Sequence, residues 1–210
     1  SLFDLQEDQV VVTGGAYDPS VFYPCKSRSI MGSKLPIRII YAGKITDSKG
    51  VFELVEAYSR VRKVYPELTL DLVGRESLET IERINQLSGH DPSIHLFDVE
   101  SQDVLASHMR RSDLFAFASY YEGLGLIALE ALASGLHLVS NRLPGLCEQL
   151  GDELGSDPVI TWVDLPELKN LDEITEEARP DYVERLTEAL LQQVEYIYMK
   201  GKDVQFPFEK

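Results

Sequence analysis

The stretch SYYEGLGLIALEALASG, residues 119–135, decides how the rest of the chain is read. An apolar run, DLFAFAS (residues 113–119), leads into it, and LHLVSN (residues 136–141) leads out. Between them lie a turn containing Gly123 and Gly125 and a segment rich in Ala and Leu over residues 124–134. Strand, glycine turn, helix and strand in that order make a crossover unit, the connection that two parallel strands require. The glycines let backbone N–H groups approach a ligand, and a helix start at that point favours a negative group there.

Moving outward, the same alternation repeats. Residues 37–43 (IRIIYAG) predict a buried strand, 44–49 a loop, and 51–64 a helix with Leu54, Val55, Tyr58, Val61 and Val64 on one face. Residues 68–74 predict the next strand, 76–87 a helix, 94–99 a weaker strand and 104–111 a helix. Residues 159–163 (VITWV) predict a sixth strand, and 181–200 a covering helix. The expected fold is therefore α/β, a Rossmann-like, doubly wound parallel sheet of about six strands with helices on both faces. Ligands of such sheets bind beyond the carboxyl ends of the strands, where Gly43, Gly74 and Ser119 close theirs. Residues 1–35 read as an extended lead-in and linker with a Gly14-Gly15 turn, 36–200 as the domain and 201–210 as a loose tail. The acidic segment 165–179 reads as a loop or partly disordered insertion.

The 210 residues carry a net charge of −15, which excludes a general nucleic-acid or anionic-membrane surface. A small anion stays admissible, because a few local cations and N–H groups suffice to hold it. Two cysteines, Cys25 and Cys147, have no metal-ligand spacing and read as small hydrophobes in a reducing, cytoplasmic setting. No stretch is apolar enough for a membrane span, and the first residues lack the basic and apolar regions of a signal peptide.

Four charged positions can carry chemistry. Glu122 precedes the helix and Glu130 lies about two turns along it, so the two could accept hydrogen bonds from different hydroxyl-bearing parts of one ligand. Lys44 and Lys49 flank a tight loop over a second helix start, an arrangement suited to a diphosphate. Taken singly, such glutamates are ordinary helix-end charges and such lysines ordinary surface groups. Arg75, just past a strand end, reads either as a further phosphate or sugar neighbour or as half of a surface salt bridge. His137 reads as a satisfied structural histidine, Trp162 as core, and His90, His95 and His108 as scattered.

In combination these residues resemble glycosyltransferase family 4, the glycosyl transferases group 1. Ser119, Glu122, Gly123, Gly125, Glu130 and Ala131 stand in the family's Ser-x-x-Glu-Gly-Phe-Gly-x-x-x-x-Glu-Ala frame, with Leu124 at the Phe. Gly43-Lys44-Ile45 through Lys49-Gly50 is similar to its Gly-Arg-Leu-x-x-x-Lys-Gly motif, with Lys44 at the Arg. Residues 11–18 with 22–24, the strand ending at Gly74, and the turn 144–148 align in the same order. The family's usual Gly is absent from residues 96–99, and His137 stands at its usual Pro.

The resemblance implies the donor-binding half of a two-domain (GT-B) retaining enzyme, the acceptor-binding half being a separate N-terminal domain. The longer protein would move a hexosyl group from a nucleoside diphosphate sugar to a sugar, lipid or protein acceptor. Peripheral membrane association would belong to that longer protein only. By carry-over, Glu130 holds the ribose hydroxyls, Lys49 with Lys44 the diphosphate, and Val99 marks the strand end that meets the base. Glu122 and Lys49 are the catalytic candidates. Glu122, in the turn Gly123-Leu124-Gly125 with the N–H groups of Leu124 and Gly125, positions the sugar and steadies the leaving phosphate. On those roles, Glu122→Gln would leave a bare diphosphate's binding nearly unchanged. No metal or other cofactor is expected. The alternatives are a non-catalytic nucleotide-sugar module and a sugar-nucleotide epimerase of the same architecture.

Overall fold

A computed structural model describes residues 15–25, 36–75, 77–99 and 101–200, apart from the side chains of 153 and 154. Residues 1–14 and 26–35 of the lead-in and linker, Glu76 at the predicted helix start and the predicted tail 201–210 lie outside the described residues. Six strands, β1 (Arg38–Ala42), β2 (Thr69–Val73), β3 (Ile94–Phe97), β4 (Leu114–Phe117), β5 (His137–Asn141) and β6 (Ile160–Val163), form one sheet. Its order is β3-β2-β1-β4-β5-β6, and every pairing is parallel. The helices are α1 (Val51–Val64), α2 (Leu78–Ser88), α3 (Gln102–Arg111), α4 (Leu126–Ala133), α5 (Pro144–Gly155) and α6 (Arg179–Lys200).

Successive residues of a strand point to opposite faces, and here both faces are apolar. Ile39 and Tyr41 of β1 pack with Leu70 and Leu72 of β2 under α1 and α6, burying Val55, Tyr58, Leu186 and Leu190. Ile40 and Ala42 face the other way with Phe115 and Phe117, against Met109 of α3, Leu132 of α4 and Leu146 of α5. Two apolar faces explain why the strands read as continuous hydrophobic runs rather than alternating ones.

The expected elements are present, with four differences. Helix α4 starts at Leu126, not near Leu124, because Gly125 adopts a left-handed φ of 65° that no helix continues through. Strand β3 ends at Phe97, so Val99 lies beyond it. Helix α5 occupies a region read only as a turn, and Gly151 (φ 65°, ψ 178°) divides it into two helical stretches. The acidic segment is a folded loop: Leu168 and Ile174 form an antiparallel bridge, and both pack against the α1–α6 core.

Candidate functional site

The sheet order reverses direction between β1 and β4, so the loops that leave those two strands diverge and open a crevice at the carboxyl edge. The loop after β1 closes with a single 3-10 turn, Asp47–Lys49, and Gly50 then opens α1. Gly50 has φ 61°, and a Cβ there would collide with the carbonyl oxygen of Ala118 at the end of β4. Only glycine lets the two loops approach this closely. The Tyr120 N–H donates to the Ser48 carbonyl at 3.2 Å, stitching the loops together.

That stitching brings Lys49 and Glu122 into contact. Lys49 Nζ lies 2.6 Å from Glu122 Oε1 and 3.4 Å from the Tyr121 carbonyl oxygen. The two side chains are 23% and 26% exposed, open enough for a ligand to reach them. Beneath them Tyr41 donates its hydroxyl to the Lys44 carbonyl at 2.6 Å. Burial, reinforced by the nearby Glu122 carboxylate, pushes that phenol far above its ordinary range, so it remains a donor. The Lys44 side chain itself is exposed and joins no ion pair among the described residues.

The Glu130 side chain is half-buried and has no hydrogen bond or ion pair among the described residues. Burial pushes its carboxyl above the ordinary carboxylate range. A desolvated acceptor without a donor is a costly arrangement that a ligand's hydroxyls would relieve. Among the described residues no side chain caps the start of α4, leaving the N–H groups of Leu126 and Ile127 in its first turn open, while that of Ala128 donates to the Gly125 carbonyl. Gly123 and Leu124 are exposed while Gly125 is buried, and the Leu124 carbonyl accepts from Gln149 Nε2 at 2.5 Å.

Arg75, the further candidate, stands apart from this centre, as does His137, which was read as structural. Arg75 is 86% exposed and faces Asp98 at 3.8 Å, the surface salt bridge that its position allowed. His137 is buried, but only half satisfied: Nδ1 meets Gln193 Nε2 at 2.7 Å, whereas Nε2 has no hydrogen-bond partner among the described residues. The sequence reading also missed Asn141, Tyr182 and Tyr120, buried polar side chains packed beneath the Glu122 loop. A lone Asn closing an apolar strand was the one available sign. Among the described residues no group of three or more His, Cys, Asp or Glu could hold a metal ion. No described helix is long and apolar enough to cross a membrane.

Residues 28–156, more than half of the chain, match the family described as glycosyl transferases group 1. The chain belongs to that family. A relative, the D-inositol 3-phosphate glycosyltransferase of Paenarthrobacter aurescens, is 32% identical over 155 residues, which is 69% of this chain and 38% of that protein. The chain thus spans well under half the length of this curated relative. Among solved structures, the C-terminal domain of a group 1 glycosyl transferase from Francisella tularensis superposes with a TM-score of 0.60. It is 24% identical, and the match covers 90% of this chain and all of that one. An Anabaena protein solved with UDP and glucose superposes with a TM-score of 0.59 at 18% identity, covering 91% of this chain and 53% of that one. These likenesses confirm the fold as one Rossmann-like domain of the GT-B glycosyltransferase architecture. In this group 1 domain, Lys49, Glu122 and Glu130 occupy the switch-point loops and the helix that follows them.

Proposed function

We propose that this group 1 domain binds a nucleoside diphosphate sugar and that the longer protein transfers the sugar, a hexosyl group, with retention of configuration. The supporting observation is the meeting of Lys49 and Glu122 at the switch point, one helix start away from the unpartnered Glu130. Lys49 and the free Lys44 neutralise the diphosphate, together with the uncapped N–H groups at the start of α4. These groups take the part that a metal ion would otherwise play, so binding is independent of magnesium.

Glu130 accepts from the ribose hydroxyls. Glu122 accepts from the sugar's hydroxyls beside the bond that breaks. As that bond breaks, negative charge grows on the departing phosphate, and Lys49 with the Leu124 and Gly125 N–H groups stabilises it. The bond to the acceptor oxygen forms on the face the phosphate leaves, which preserves the anomeric configuration. The acceptor, a sugar, lipid or protein hydroxyl, is supplied outside the residues described here.

Calorimetry with UDP, GDP and ADP, with and without magnesium, tests the reading. Weak binding that needs no metal and is lost in Lys49→Ala is the expected result. No binding of any of the three at millimolar concentration would overturn it.

A further inference from the structure

Behind Lys49 and Glu122, the loop that carries Glu122 is gripped from a different part of the fold. Asn141, the last residue of β5, is fully buried, and its Nδ2 donates to the carbonyl oxygens of Ala118 and Ser119, each at 2.9 Å. Carbonyl oxygens can only accept, so the amide must turn its nitrogen toward them and its Oδ1 toward a donor. That donor is Tyr182 in the first turns of α6, equally buried, with its hydroxyl 2.9 Å from Asn141 Oδ1 and 3.2 Å from the Ala118 oxygen. Burial keeps the phenol protonated.

The next residue is fixed as well. The Tyr120 ring meets the Tyr182 ring edge-on with centroids 5.6 Å apart, while its N–H holds the Ser48 carbonyl. Three consecutive residues, Ala118, Ser119 and Tyr120, are therefore tethered to β5, α6 and the β1–α1 loop. Glu122 follows two residues later. A buried amide and phenol at the end of an apolar strand cost desolvation unless fully bonded, and here their bonds go to this loop.

We propose that Asn141, held in orientation by Tyr182, is a positioning residue: it sets the strand-to-helix loop so that Glu122 meets Lys49 and, on the donor-binding reading on which this rests, the donor's sugar. Helix α6 is thereby part of the machinery rather than only a cover for the sheet. The clamp touches no ligand itself and acts through Glu122.

Two measurements test it, one of them free of ligand. Tyr182→Phe keeps the ring and removes the hydroxyl; Asn141→Asp keeps the shape but turns an oxygen toward two carbonyls. Hydrogen exchange of the Tyr120 amide, bonded across to Ser48, should quicken about two- to tenfold in Tyr182→Phe, with β1 and β2 amides unchanged. Asn141→Asp should quicken it further. By calorimetry, the affinity for UDP-glucose relative to UDP, and for GDP-mannose relative to GDP, should fall about two- to tenfold in Tyr182→Phe. A purely structural role would lower the unfolding midpoint and leave that ratio alone. Unchanged Tyr120 exchange in folded Tyr182→Phe overturns the clamp, and an unchanged affinity ratio overturns its positioning role. Should Asn141→Asp fail to fold, Tyr182→Phe decides. Failure of the wild-type protein to bind any of the four compounds would overturn the donor reading, while the exchange result still decides the clamp.

Discussion

The Lys49 ammonium and the Glu122 carboxylate, 73 residues apart in sequence, meet at 2.6 Å across the loops flanking the β1–β4 switch. An anionic ligand that needs Lys49 must therefore share it with a carboxylate already in contact. The two roles inferred from sequence, diphosphate for Lys49 and sugar for Glu122, are coupled through one cation.

That coupling changes the expected behaviour of Glu122→Gln. Roles taken separately leave the binding of a bare diphosphate nearly unchanged. With Lys49 shared, removing the carboxylate's charge frees the cation and removes a repulsion toward phosphate. Glu122→Gln should then tighten UDP, GDP or ADP by about two- to fivefold, the worth of a partly exposed ion pair. The gain should shrink at high salt. Calorimetry at two ionic strengths measures both effects, and weaker binding of the bare nucleotide would refute the coupling.

Glu130→Gln should act in the opposite direction on binding while stabilising the fold. Burial raises the Glu130 carboxyl's pKa, so between the unfolded and folded values the native state binds more protons than the unfolded one. The associated stability is intact below the unfolded value and is lost as pH rises through the folded one. At neutral pH the ionised carboxylate is thus a liability, and the neutral amide should raise the unfolding midpoint, with the gain fading toward acid pH. Losing a charge-assisted bond to ribose should cost about 1.5–3 kcal/mol of nucleotide affinity, or ten- to hundredfold. Thermal unfolding at several pH values and calorimetry read the two halves. A variant that is less stable and binds equally well would contradict both.

Gly50→Ala tests the close approach of the two loops. The left-handed conformation costs an alanine roughly 1–2 kcal/mol, before the collision of its Cβ with the Ala118 carbonyl is counted. The unfolding midpoint should fall, and nucleotide binding should fall with it, because Lys49 and Glu122 separate when the loops do. Retained binding in a destabilised variant would show that the approach serves stability alone.

Much of this was legible in the sequence because each strand is a short apolar run, and three of those runs close at Gly43, Gly74 and Ser119, one or two residues past the strand ends, where the backbone turns off the sheet. The bounds of helix α1 were legible to the residue, since Leu54, Val55, Tyr58 and Val61 repeat with the helical period and are buried, although Val64, read on the same face, is exposed. Helix α5 was not. Gly145, Gly151 and Gly155 break its apolar pattern, although Pro144 at its first position is a recognised start. The site was legible as residues but not as contacts. Lys49 pairs with Glu122 only because β1 and β4 are neighbours, a consequence of strand order that no local spacing encodes. Asn141 and Tyr182 were invisible for the same reason, their partners lying 22 to 64 residues away.

His137 should make the fold acid-sensitive independently of the binding site. It lies in β5, buried, with Nδ1 on Gln193 and Nε2 without a hydrogen-bond partner among the described residues, and burial pushes its pKa down to about 4. Below the unfolded value of about 6.5 the unfolded chain takes up a proton that the native chain resists. Stability is therefore unaffected above that value and declines as pH falls from about 6.5 toward about 4. The shift is worth about 3 kcal/mol at the acid end. Carboxylates titrate in the lower part of the same range, so the informative quantity is the difference between the wild type and His137→Asn, whose side chain cannot be protonated there. Denaturant unfolding at pH 7, 6 and 5 should show the wild type losing more stability than the variant over this span. Parallel losses would mean that protonated Nδ1, which then carries a proton facing the Gln193 amide NH2, finds an acceptor, as it would if the Gln193 amide turned its Oε1 from Thr161 toward the ring.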